Sequence, residues 1–187
     1  YPLNTPTDTP TRTATPTTNT AAETTTTFQQ GRDSYAGATD THIYIYAPDS
    51  NYCNSNSLRV GYKQQYAALL QFDLSSIPPG ATVSSATLQL YATGWDGSNL
   101  TIDAFRVLRP WLPCQATWNI AQTGSVWATA GCNNTTADRA ATSSASFDTL
   151  GISRWYSLNL TSLVQQWIAN PASNYGVILR GNLSYAT

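Results

Sequence analysis

The sequence contains no methionine, one lysine (Lys63), one glutamate (Glu23) and one histidine (His42). Charged residues make up 10% of the chain, against about 25% in an average soluble protein. With a formal net charge of −1 there is no basic field to hold a phosphate backbone, and no nucleic-acid partner is expected. Long apolar runs are missing too. Gly176-Val177-Ile178-Leu179 is far shorter than the ~20 residues of a membrane-spanning helix, so no membrane span is expected. No Cys-x-x-Cys pair occurs, and a single histidine is too few for a zinc site. Glycoside hydrolysis needs two carboxyl groups placed across the scissile bond, yet Glu23 lies near the N-terminus and the aspartates fall mostly in turns or beside strands. His42 stands outside any triad or nucleophile-elbow pattern. The expectation is a protein that is not an enzyme and carries no cofactor. One oxygen-rich stretch, Asp49-Ser50-Asn51, has the chemistry of a structural calcium loop but reads more simply as a turn.

What is present can fold. The chain has 187 residues, 41% hydrophobic and 11% aromatic, enough for one domain plus an extension. It starts at Tyr1 and is solubilised by Thr, Ser and Asn instead of charges. That pattern leads to the expectation of a cleaved signal peptide and an extracellular or cell-surface location. The three cysteines fit an oxidising compartment. Cys114 and Cys132 flank a Trp-rich stretch, and a bond between them would close a loop worth ~3 kcal/mol. Cys53 would then be left over, and other pairings stay open.

The chain divides into an arm, residues 1–23, and a body, residues 24–187. In the arm Thr5, Thr7, Thr9, Thr11, Thr13, Thr15 and Thr17 occupy successive odd positions, while Pro2, Pro6, Pro10 and Pro16 are all even. By composition this is a flexible, O-glycosylated linker. The period of two supports a second reading. Alternate residues of a strand point their N–H groups to opposite edges, so the odd edge keeps every donor and can pair along a neighbour. Leu3 and Phe28 are among its few apolar knobs, and Thr24-Thr25-Thr26-Thr27-Phe28 reads as a strand.

The body reads as short strands between turns. His42, Tyr44 and Tyr46 alternate with Ile43 and Ile45, so the aromatic trio is expected on an exposed face. Leu58-Arg59-Val60-Gly61-Tyr62 and Ala67-Ala68-Leu69-Leu70-Gln71-Phe72 follow as strands. Ile77-Pro78-Pro79-Gly80 is a turn, and Ala86, Leu88 and Leu90 alternate with polar neighbours. Helical period occurs once, at Leu160, Leu163, Val164, Trp167 and Ile168. Ser162 and Gln165 there resemble a capping box, and Thr161 is an equally good cap. Many strands and one short helix near the C-terminus predict an all-β antiparallel sandwich of jelly-roll type.

Several segments, in order, resemble the DNRLRE domain family. They are Asp40-Thr41-His42-Ile43-Tyr44, Pro48-Asp49-Ser50-Asn51-Tyr52, Leu58-Arg59-Val60-Gly61, Leu69-Leu70-Gln71-Phe72-Asp73-Leu74-Ser75-Ser76-Ile77-Pro78, Ala86-Thr87-Leu88-Gln89-Leu90-Tyr91, Ala116-Thr117-Trp118-Asn119 and Leu163-Val164-Gln165-Gln166-Trp167. The resemblance implies a secreted, non-catalytic β-sandwich, with polysaccharide binding in some relatives.

Two functions follow as expectations. In the first, the arm docks onto other copies of the chain in a homopolymer, because one arm and one groove used head to tail build a filament. In the second, His42, Tyr44 and Tyr46 form a sugar-binding platform. Attached glycans are expected on the arm, and Asn99, Asn133, Asn134, Asn159 and Asn182 fit the N-glycan acceptor pattern.

Overall fold

Ala67-Ala68-Leu69-Leu70 is an unbroken apolar run in a strand, which demands cover on both faces of a sheet. The layering supplies it. The computed structural model describes residues 23–61, 64–95 and 99–182. Its strands are β1 (Ala38–Tyr44), β2 (Tyr66–Phe72), β3 (Thr87–Ala92), β4 (Thr101–Arg106), β5 (Ile120–Gln122), β6 (Ser125–Val126), β7 (Ala145–Asp148), β8 (Arg154–Asn159) and β9 (Val177–Gly181), with one helix, α1 (Thr161–Ala169). The fold is all-β and sandwich-like, with antiparallel pairing throughout. A five-stranded sheet runs β1-β2-β9-β4-β7, and β3-β8 and β5-β6 are two-stranded ribbons.

One face of the large sheet presents Ile43, Leu69 and Ile178 to Trp111, Trp118 and Trp127, which come from the long connection between β4 and β7. The other face packs Leu70, Ile102 and Leu179 against Leu158 of β8 and Leu163 and Trp167 of α1. Each such side chain taken from water is worth about 1.5–3 kcal/mol. The Trp layer needs glycine at 131. That residue has φ of +80°, and a Cβ there would lie 2.7 Å from the Trp118 ring.

The helix buries the expected stripe, with Leu163, Trp167 and Ile168 inside. Its start differs from the capping box. Asn159 Oδ1 accepts the Thr161 N–H at 3.0 Å. The Gln165 side chain instead accepts from Val83 N–H and donates to the Ala81 carbonyl, tying the helix to the segment before β3. Pro171 stops the helix and opens a short 3₁₀ turn, Pro171–Ser173.

Several local expectations are corrected. Residues 58–61 form no strand; they contribute a single bridge, Gly61 to Tyr66. Gly61 takes φ of +83°, which turns the chain out of extended geometry. Residues 24–28 form no ladder and are exposed up to Phe28, whose ring meets Tyr35 edge-on at 5.3 Å. A Thr run has strand propensity, but propensity without a partner edge forms no sheet. β1 ends at Tyr44, so Ile45 is exposed instead of sharing the buried side of Ile43. The arm's Leu3 and its odd threonines from Thr5 to Thr17 lie outside the described residues, as do Tyr62 and Lys63.

The cysteine expectation is overturned as well. Cys53 bonds to Cys114 across 61 positions of sequence, and Cys132 is a buried free thiol. Asn51 explains the meeting, since its Nδ2 donates to the carbonyls of Pro113 (2.6 Å) and Ala116 (2.7 Å). The excursion between β1 and β2 is thereby laid against the loop carrying Cys114. Cys132 sits instead inside the Trp layer, where burial foremost, and Asp138 second, push its thiol pKa up.

Candidate functional site

His42, Tyr44 and Tyr46 do not form an exposed platform. His42 is 2% exposed and Tyr46 70%. His42 faces the same side as Ala68, its partner across the ladder, and the excursion between β1 and β2 folds back over it. Tyr52 of that excursion stacks on the imidazole at 4.4 Å. Tyr66 meets it edge-on and stacks on Tyr44 at 4.1 Å, and Tyr46 closes the row against Tyr44. The Arg59 guanidinium lies 5.7 Å from the Tyr66 ring centroid. The row is therefore mainly packing, with its faces consumed by one another. A hydrogen bond with Tyr66 raises the Tyr44 phenol pKa, with lost hydration second.

His42 carries a consequence for stability. Burial foremost, with Arg59 second, lowers its pKa from 6.5 to about 4, and its Nδ1 has no hydrogen-bond partner. The folded state thus holds a neutral imidazole that the unfolded chain protonates below pH 6.5. Stability is full above that pH, is lost as pH falls towards 4, and then levels. A loss of about 2–3 kcal/mol is expected. Asp40, whose carboxyl pKa is raised by burial, acts in the opposite sense, so the variant His42→Phe is the control. Melting temperatures from pH 7.5 to 4.5 should fall in the wild type and stay nearly flat in His42→Phe. Equal slopes would refute the assignment.

The exposed aromatics that pair are elsewhere. On the outer face of the β3-β8 ribbon Tyr91 is 50% exposed and Trp155 63%, directly opposite in register, with centroids 5.2 Å apart. Gln89 faces Ser157 and Thr87 faces Asn159 in the same ladder. Gln89 and Tyr91 thus belong to a different layer from His42. Trp155 was not among the residues expected at a site; its alternation with Ser157 and Asn159 is the signal that could have found it. Ser157 and Asn159 also line a polar groove of about 780 Å³ between β7, β8 and α1, whose charged residue is Arg106. Arg106 donates to Gln166 Oε1 at 3.2 Å.

The remaining titratable groups serve structure. Asp138 is fully buried and accepts four hydrogen bonds, from the N–H groups of Ala128, Thr129 and Asn134 and from Arg109 Nη1. Asp49 accepts from Asn119 Nδ2, and Ser50 N–H closes a turn on the Ala47 carbonyl. Asn51 Oδ1 accepts from Cys53 N–H, so Asp49-Ser50-Asn51 is a turn braced against the Trp layer. No group of three or more His, Cys, Asp or Glu side chains converges among the described residues. Asn99, Asn133, Asn159 and Asn182 are exposed, while Asn134 is half-buried.

These features define a β-sandwich-like module with a disulfide-braced tryptophan layer and a two-stranded outer ribbon. A family model described as the disaggregatase related repeat domain matches residues 40–185, and the chain belongs to that family. This corrects the resemblance to DNRLRE domains. Four of the seven segments that suggested it fall wholly or partly on β1, β2, β3 and α1, where sequence reports burial pattern, and the other three lie in connections. No curated protein matches the chain.

Proposed function

We propose that this chain is a non-catalytic extracellular structural module, joined to other copies of itself in a filament or surface assembly through the N-terminal arm. One observation carries the reading. The outer ribbon has two strands against five in the sheet it covers, and neither of its outer edges is paired among the described residues. Such an edge accepts an added strand through main-chain hydrogen bonds, with no need for an apolar arm. The family's description as a repeat domain and a disulfide suited to an oxidising compartment support it. No helix among the described residues is long and apolar enough to cross a membrane. Deleting residues 1–22 should abolish assemblies seen by electron microscopy and leave a folded monomer. Assemblies that persist without the arm would overturn the reading.

The Tyr91–Trp155 face favours a second reading, binding of an extracellular polysaccharide. Aromatic faces flanked by amide and hydroxyl groups are the chemistry of sugar stacking. On this reading Trp155→Ala weakens retention on a neutral polysaccharide affinity gel at least tenfold without shifting the melting temperature. Unchanged retention would remove Trp155 from any such site.

A further inference from the structure

The ribbon has two outer edges, and they are not equivalent. Leu160 N–H donates to the Ala86 carbonyl, which fixes the phase of the β3-β8 ladder. By antiparallel alternation, residues 158, 156 and 154 turn their main-chain groups towards β3, and Trp155, Ser157 and Asn159 turn theirs to the opposite edge. That edge borders the groove between β7, β8 and α1. β7 is itself the last strand of the large sheet. The groove walls are mostly polar, with hydroxyls and amides from Ser144, Ser146, Ser157, Asn159 and Gln166 beside Arg106, and Leu160 and Leu163 add apolar surface. An apolar strand would strand these polar groups without partners; a threonine-rich one would not.

We propose that the outer edge of β8, with the groove beside it, is the acceptor for residues 1–22 of a second copy. This rests on the assembly reading above and names its site. Three observations select that occupant. The arm has threonine at each odd position from Thr5 to Thr17, which matches the polarity of the groove. Its prolines are all even, so one edge is complete and the other broken, as suits a strand added at the side of a ribbon. Finally, the segment leading into β1 is held at the β1-β2 end of the sheet, where the Tyr35 hydroxyl donates to the Asp73 carbonyl, Gly37 accepts from Asp73 N–H and Phe28 meets Tyr35 edge-on. β1 is the edge of the large sheet opposite β7. The chain thus enters on the β1-β2 side of the molecule and the acceptor lies on the β7-β8 side, an arrangement that can propagate head to tail. Twenty-two residues in extended form span roughly 70 Å, ample to run along the six residues of β8.

The test uses the full chain. Ser157→Pro removes an outward N–H while sparing the ladder to β3, and Gln89→Pro is the matching change on the outer edge of β3. Ser157→Pro should reduce assembly at least tenfold by sedimentation, and Gln89→Pro should leave it unchanged. Independently, Thr11→Cys copies mixed with Ser157→Cys copies should form an intercopy crosslink under mild oxidation, and Thr11→Cys with Gln89→Cys should not. The crosslink decides the matter if a proline variant misfolds. Crosslinking at Gln89 instead of Ser157, in a protein whose assembly still needs the arm, would overturn this acceptor edge and leave the assembly reading standing. Assembly that survives loss of the arm would overturn both.

Discussion

Asp138→Ala should lower the unfolding free energy by about 3–5 kcal/mol, among the largest effects of any single substitution outside the apolar core. The carboxylate is fully buried and ties together three main-chain N–H groups of the segment between β4 and β7. Oδ1 accepts from Ala128 N–H (2.9 Å) and Arg109 Nη1 (3.3 Å), and Oδ2 accepts from Thr129 N–H (2.9 Å) and Asn134 N–H (3.1 Å). Alanine removes the acceptor of three part-buried N–H groups and leaves a guanidinium without its counter-charge. Arg109 would keep its bond to Ser125 Oγ and its position near the Trp127 ring, which limits the collapse. Asp138→Asn should fall between wild type and alanine, since it keeps one acceptor oxygen and turns a donor towards N–H groups. Urea unfolding followed by Trp fluorescence measures both. A loss below about 1 kcal/mol for alanine would mean that water replaces the carboxylate and the hub is not structural.

The double change Cys53→Ser, Cys114→Ser should cost about 4 kcal/mol in the chain-entropy account, because the crosslink spans 61 positions. The bond also has local neighbours. Asn119 N–H donates to the Pro48 carbonyl at 3.1 Å, and Asn51 bridges two carbonyls of the facing loop. These contacts remain in the variant, so it should fold, but with a lower denaturant midpoint. Non-reducing peptide mapping gives the connectivity directly. It should recover Cys53 joined to Cys114, and Cys132 should alkylate only after unfolding. A Cys114–Cys132 peptide would refute the arrangement.

Much of the fold was readable locally. The alternation at Leu88 and Leu90, the unbroken run at Ala67 to Leu70 and the stripe ending at Ile168 each report which atoms must leave water. The elements formed where those patterns lie. The same logic failed for His42. Alternation says which residues share a face, but it does not say whether that face is wet. A loop 10 residues further along the chain supplies Tyr52 as its cover. It failed for residues 58–61 because Gly61 takes a left-handed conformation that propensity does not register.

Taken alone, then, the sequence determined the all-β class, the single short helix near the C-terminus and the low charge of the chain. These depend on residue type and on spacings of two to four positions, which act within one element. The tertiary structure alone decided the partner of Cys114, the burial of His42, the convergence of four donors on Asp138 and the pairing of Tyr91 with Trp155. It also decided which strand edges are unpaired among the described residues. Each of these joins residues far apart in sequence, and their meeting is set by how layers stack and in what register, information that no local pattern contains.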